Sequence, residues 1–133
     1  MTRVLALDYG SARCGCAVSD PTGTLATPLP PVEKPGSDAG VERIAGLVRD
    51  QHAERVVVGL PVSLSGEEGA QAEETRRFTE RLRAVVGVPV ETWDERFTTR
   101  MARATPGRQS EDSRAAAHLL TGWLAARETG EAG

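Results

Sequence analysis

Val4-Leu5-Ala6-Leu7-Asp8-Tyr9-Gly10-Ser11 sets a short apolar run, an acid and a glycine turn in immediate succession. A run of this length reads as a buried strand, which makes Asp8 a carboxylate at a strand mouth. In α/β proteins that position often holds a metal or a phosphate. An aspartate there can equally cap the turn, accepting a hydrogen bond from a backbone N–H two residues on. The two readings separate only through other acids that reach the same point.

Downstream, residues 13–19 read as a second strand and 24–29 as a weaker third, together a meander of three antiparallel strands. Pro28, Pro30, Pro31 and Pro35, with Gly36 and Ser37, predict an extended connection that cannot be helical. Val41, Ile44, Leu47 and Val48 recur at helical spacing and predict a helix ending near Gln51. Arg55-Val56-Val57-Val58-Gly59 has the uniformly apolar character of a strand covered on both faces, and is expected beside the first strand in the middle of the sheet.

A polar loop over 63–69 leads to a predicted helix over 70–86 with Phe78, Leu82 and Val85 on its apolar face. Residues 88–93 read as a strand, with Pro89 at its start, where a missing N–H costs least. A short helical segment over 98–104 is broken by Pro106-Gly107, and Ser110 is placed to cap a last helix running to Arg127, followed by a frayed tail over 128–133. The expected fold is α/β, a five-stranded mixed sheet of three antiparallel strands and then two parallel ones, flanked by helices.

At 133 residues the chain suits one domain spanning 1–133. Its 39% hydrophobic and 26% charged content is that of a soluble globular protein, without an apolar run long enough to span a bilayer. The start of the chain does not resemble a signal peptide either, so a cytoplasmic location is expected. Cys14 and Cys16 are the two cysteines, too few for a cysteine-rich zinc site, and read as buried or half-buried free thiols on one strand face, with an intermolecular disulfide the lesser alternative. With a net charge of −3, no global field favours nucleic acid. Locally, Arg96, Arg100, Arg103, Arg108 and Arg114 face only Glu111 and Asp112, a cluster that by itself reads as solvated surface.

Ligand sites of open α/β sheets lie beyond the carboxyl ends of the parallel strands, which puts Asp8, Gly59-Leu60-Pro61 and Asp94-Glu95 at one edge. The last helix adds an acid, because Asp112, Ala116, Leu119 and Trp123 fall on one stripe. An acid in a first helical turn is also favoured by the helix dipole alone, and Glu95 could simply pair with a neighbouring arginine. Three acids converging without a lysine repel one another unless they bind a hard divalent cation. All-oxygen ligation selects Mg²⁺ or Mn²⁺, and two such ions roughly 4 Å apart activate water and stabilise the leaving oxygen in phosphodiester hydrolysis. The outline is that of a nuclease.

Residues 5–20, LALDYGSARCGCAVSD, resemble the opening of the YqgF/RuvX family. Val56-Val57-Val58-Gly59-Leu60-Pro61, Gly66-Glu67-Glu68-Gly69, Asp94-Glu95-Arg96-Phe97-Thr98-Thr99 and Asp112-Ser113-Arg114-Ala115-Ala116 are similar to its remaining blocks and occur in family order. The resemblance implies an RNase H-like fold and a divalent-metal nuclease, described for the family both in 5′-end processing of the 16S rRNA precursor and as Holliday-junction resolvase-like. Asp8, Glu95 and Asp112 become the implied metal ligands and catalytic acids. Asp94 stays open as an alternative, with Glu95 favoured because strand alternation separates the two.

The resemblance also turns Arg13, Arg96, Arg100, Arg103, Arg108 and Arg114 into expected phosphate contacts. The implied partner is structured RNA or branched DNA, with ribosomal precursor particles a further expectation, and the chain acts as a monomer or homodimer; symmetric cutting of a four-way junction requires two sites. A non-catalytic nucleic-acid-binding module of the same fold is the reading from another class. Two departures stand out: cysteines 14 and 16 replace aliphatic residues, and the connection from Thr99 to Asp112 is shorter than the family's, which bears on substrate grip rather than on chemistry.

Overall fold

A computed structural model of the chain describes residues 3–20, 22, 25–61, 69–94 and 111–128. The elements run β1 (Val4–Asp8), β2 (Arg13–Ser19), β3 (Ala26–Glu33), α1 (Asp38–Asp50), β4 (Arg55–Leu60), α2 (Ala70–Arg83), β5 (Val90–Asp94) and α3 (Glu111–Glu128). The strands form one five-stranded sheet in the order β3-β2-β1-β4-β5. β1–β2 and β2–β3 are antiparallel, β1–β4 and β4–β5 parallel, as the sequence predicts.

Alternation along each strand builds two cores. Leu5, Leu7, Cys14, Cys16, Val56, Val58 and Val90 join Ile44 and Val48 of α1 and Phe78 and Leu82 of α2 on one face. Val4, Ala6, Ala17 and Val57 meet Ala116, Leu119, Leu120 and Trp123 of α3 on the other. Both faces are covered at the centre, which explains why β4 reads apolar throughout. Both cysteines are buried and free, as expected.

Four boundaries differ from expectation. The proline-rich stretch is largely strand: β3 continues to Glu33 through Pro28, Pro30 and Pro31. β3 is an edge strand, where half the N–H groups face away from the sheet, and its register with β2 slips from Cys16↔Leu29 to Cys14↔Val32. Pro30 and Pro31 together oppose Gly15, so the extra residue sits where the ladder is already interrupted. Helix α1 starts earlier than Val41 because Ser37 Oγ accepts the Gly40 N–H at 3.0 Å. Gly40 is required there, since a Cβ would stand 2.2 Å from the Lys34 carbonyl oxygen.

Helix α2 ends at Arg83 rather than near 86. The Val85 and Val86 N–H groups both fold back on the Leu82 carbonyl, and Arg83 donates through Nε and Nη2 to the Val90 carbonyl at 3.0 and 2.8 Å. Val85 is therefore exposed at 43% and does not belong to the helix's apolar face. β5 begins at Val90, one residue past Pro89. The short helix expected over 98–104, the Ser110 cap and the tail beyond 128 lie outside the described residues.

Candidate active site

Because β1, β4 and β5 are parallel, Asp8, Leu60 and Asp94 end at the same edge of the sheet, with Leu60 and Asp94 register partners. Their faces differ. Asp8 follows the parity of Val4 and Ala6 and belongs to the α3 side. Asp94 follows Val90 and is paired with Leu60, on the α1/α2 parity, whereas Glu91 and Trp93 point toward α3.

A buried polar contact holds the start of α3 at this edge. Ser113 Oγ, fully buried, accepts the Cys16 backbone N–H at 3.3 Å. Cys16 lies opposite Leu7 and Gly15 opposite Asp8, so the residue following Asp112 is latched one register step from Asp8. The latch sits where the β2–β3 ladder changes register. Ala116, completely buried one turn further, lets the helix lie close against β2 and β1. The far end of α3 has its own anchor: Trp123 Nε1 donates to Glu91 Oε2 at 3.2 Å, and Arg55 Nη1 pairs with Glu91 Oε1 at 2.5 Å.

The turn after Asp8 is anchored from the opposite side of the sheet. Tyr9 is buried against Phe78, with ring centroids 4.6 Å apart. Its hydroxyl donates to the Glu74 carboxylate, which also accepts Ser11 Oγ–H at 2.9 Å. Burial pushes the Tyr9 phenol up to about 12, and the hydrogen bond to Glu74 and its negative charge add to the shift. The hydrogen bonds from Tyr9 and Ser11 hold the Glu74 carboxyl below the usual carboxylate range. Gly10 is needed between them, because a Cβ would stand 2.8 Å from the Arg13 carbonyl oxygen.

Neither Ser113 nor Glu74 stands out in the sequence. Glu74 did leave a signal, since Glu74, Phe78 and Leu82 share one helical stripe and an acid on an apolar stripe needs a partner. Glu95 and the side chain of Asp112 lie outside the described residues. Among the described residues no three His, Cys, Asp or Glu side chains are grouped to hold an ion. No described helix is long and apolar enough to cross a membrane.

Residues 2–126 match the model of the family described as "RuvX: Holliday junction resolvase". The chain belongs to the RuvX family. A relative from Desulforudis audaxviator described as "Putative pre-16S rRNA nuclease" is 36% identical over 137 residues, covering 96% of this chain and 97% of its own. One from Anaeromyxobacter with the same description is 39% identical, covering 94% and 98%. Among solved structures, Thermus thermophilus RuvC in complex with a Holliday junction substrate superimposes with a TM-score of 0.68 over 98% of both chains at 16% identity. That likeness establishes the RNase H-like fold. Family membership gives the chain's chemistry as that of a nuclease, a hydrolase acting on phosphodiester bonds with divalent-metal dependence.

Of the arginines in this RuvX chain, Arg13 is exposed at the start of β2 and Arg114 is half-buried in the first turns of α3, both near the Asp8 edge. Arg96, Arg100, Arg103 and Arg108 lie outside the described residues. One turn along α3, burial and then the positive charge of Arg114 depress the His118 imidazole below its ordinary value.

Proposed function

We propose that this RuvX-family chain is a Mg²⁺- or Mn²⁺-dependent endonuclease of structured RNA, acting in 5′-end processing of the 16S rRNA precursor in the cytoplasm. The observation that carries the reading is the latch between Ser113 and Cys16, which supports Asp8 and the acid-bearing start of α3 working as one site. The descriptions of relatives matched over nearly their whole length support the ribosomal RNA substrate.

Asp8, Glu95 and Asp112 would hold the metal. The parity of β5 favours Glu95 over Asp94, because Asp94 falls on the face away from Asp8. The donor set suits the ion: it is all carboxylate oxygen, and the two thiols near by, Cys14 and Cys16, are buried on the other face of the sheet. Two bound ions would supply an activated water and charge stabilisation at the leaving oxygen. The chain's own part is to fix the carboxylates on a rigid sheet edge and to seat the nucleic-acid backbone. Arg13, Arg114, Arg96, Arg100, Arg103 and Arg108 serve that second role, as contacts that position phosphates without reading sequence.

Asp8→Asn keeps the shape of the side chain and removes its charge. It should abolish Mn²⁺-dependent cleavage of a precursor rRNA fragment while leaving the circular dichroism spectrum unchanged; full activity in that variant would rule out the assignment. A second reading, cutting of four-way DNA junctions, is favoured by the family description and by the RuvC-like fold. Side-by-side assays on the RNA fragment and a DNA junction decide between them, and a monomer at working concentration counts against the junction.

A further inference from the structure

Glu74 lies on α2, across the sheet from the proposed metal ligands, yet its carboxylate is tied to the two residues that follow Asp8 on either side of Gly10. The position of Asp8 depends on what holds those residues. On the β2 side β1 is paired through Asp8↔Gly15, and on the β4 side the pairing runs to Leu7↔Val58, one residue short of Asp8. Beyond that point the chain turns back toward β2, with Gly10 pressed against the Arg13 carbonyl. The Tyr9 ring is fixed on Phe78, and its hydroxyl lies where a Cβ at Gly36 would approach to 3.0 Å, so the phenol is confined between the 36–37 turn and Glu74. Ser11, by contrast, is exposed, and Glu74 supplies a link from it to the body of the protein.

We propose that Glu74 is a positioning residue of the nuclease site: by accepting hydrogen bonds from both Tyr9 and Ser11 it clamps the turn that carries Asp8, and so sets the affinity for the divalent ion and the rate of cleavage. The inference rests on the nuclease reading for its functional consequence, though not for the clamp itself. A single carboxylate with two acceptor oxygens suits two donors at once, and glutamine, with one carbonyl oxygen, retains part of that capacity. Alanine retains none. Groups that orient a metal ligand are worth about 10–100-fold in ion affinity, and Glu74 acts through the neighbours of Asp8, so the low end of that range applies.

The test compares wild type, Glu74→Ala, Glu74→Gln and Tyr9→Phe, each checked for fold by circular dichroism. Mn²⁺ binding is read by titration calorimetry and cleavage by steady-state kinetics on the substrate that wild type cuts best. Tyr9 is the chain's one tyrosine, so ring-labelled protein gives one set of tyrosine resonances that reports the clamp without reference to activity. Glu74→Ala should shift those resonances, weaken Mn²⁺ binding roughly tenfold and lower kcat roughly tenfold with KM little changed, and Glu74→Gln should recover most of both losses. Tyr9→Phe, which keeps the ring on Phe78, should fall between.

Shifted resonances with Mn²⁺ affinity and kcat both at the wild-type level would overturn the positioning role and leave the nuclease reading intact. Unmoved resonances would overturn the clamp itself. If wild type cuts neither RNA nor DNA but its Mn²⁺ affinity still drops in Glu74→Ala, the nuclease reading falls and the positioning of Asp8 stands. A wild type that neither cuts nor binds Mn²⁺ overturns both.

Discussion

Replacing Ser113 by alanine removes one oxygen from a fully buried site and leaves the Cys16 N–H without its α3 acceptor. A buried donor stripped of its partner costs about 1–3 kcal/mol. At 3.3 Å the bond is at the long end of the useful range, which places the expected loss near 1–2 kcal/mol. Solvent cannot take over the donor, because Ser113 and Cys16 are both completely buried. For a domain of this size each kcal/mol is worth roughly 3–5 °C, so Tm should fall by about 5 °C and the urea midpoint should move with no change in slope. A functional consequence is expected as well. Assayed well below its Tm, the variant should cleave more slowly than wild type, because the first turn of α3 is no longer registered against Asp8. Stability within about 0.5 kcal/mol of wild type would refute the latch, since that is the range of substitutions that touch nothing. A destabilised variant with undiminished cleavage would show that the latch matters to the fold and not to the site.

Three further outcomes follow from contacts elsewhere in the fold. The phenolate absorbance of Tyr9 should report a pKa near 12 in the wild type. In Glu74→Ala it should fall part of the way toward 10, because burial, the larger cause, remains; an unchanged titration would break the link between the two side chains. His118 is held below its ordinary value in the folded state, so the unfolded chain takes the proton first and stability declines as pH drops through about 6.5. His118→Gln should flatten that decline between pH 7.5 and 5.5, and equal slopes in the two proteins would contradict it. Glu91→Ala removes the partner of both Trp123 Nε1 and Arg55 in a half-exposed setting, and should cost about 1 kcal/mol in urea unfolding, with no effect meaning that the far end of α3 is held by packing alone.

Strand periodicity and the apolar runs carried the architecture: the order of elements, the mixed sheet, the central place of β4 and the edge at which Asp8 and Asp94 end were all legible from local patterns, because alternation and burial are written residue by residue. The blocks around Asp8 and Asp112 carried the family as well. The misread parts are those where a neighbour outweighs local preference. Three prolines signal a connection, and it took an edge strand with a register slip to accommodate them as β3. Val85 continues a helical stripe, but Arg83 fastens to the Val90 carbonyl and the helix stops.

The site divides in the same way. Sequence alone nominated the acids, since a carboxylate after an apolar strand or on an apolar helical stripe is conspicuous in one dimension. Only the tertiary structure showed what fastens the segments next to Asp8 and Asp112. Ser113 meets Cys16 across 97 positions of chain and Glu74 meets Ser11 across 63, and no local pattern marks such pairs. Their worth comes from burial and from the shared geometry of two elements, both of which exist only once β1, β2, α2 and α3 are packed together.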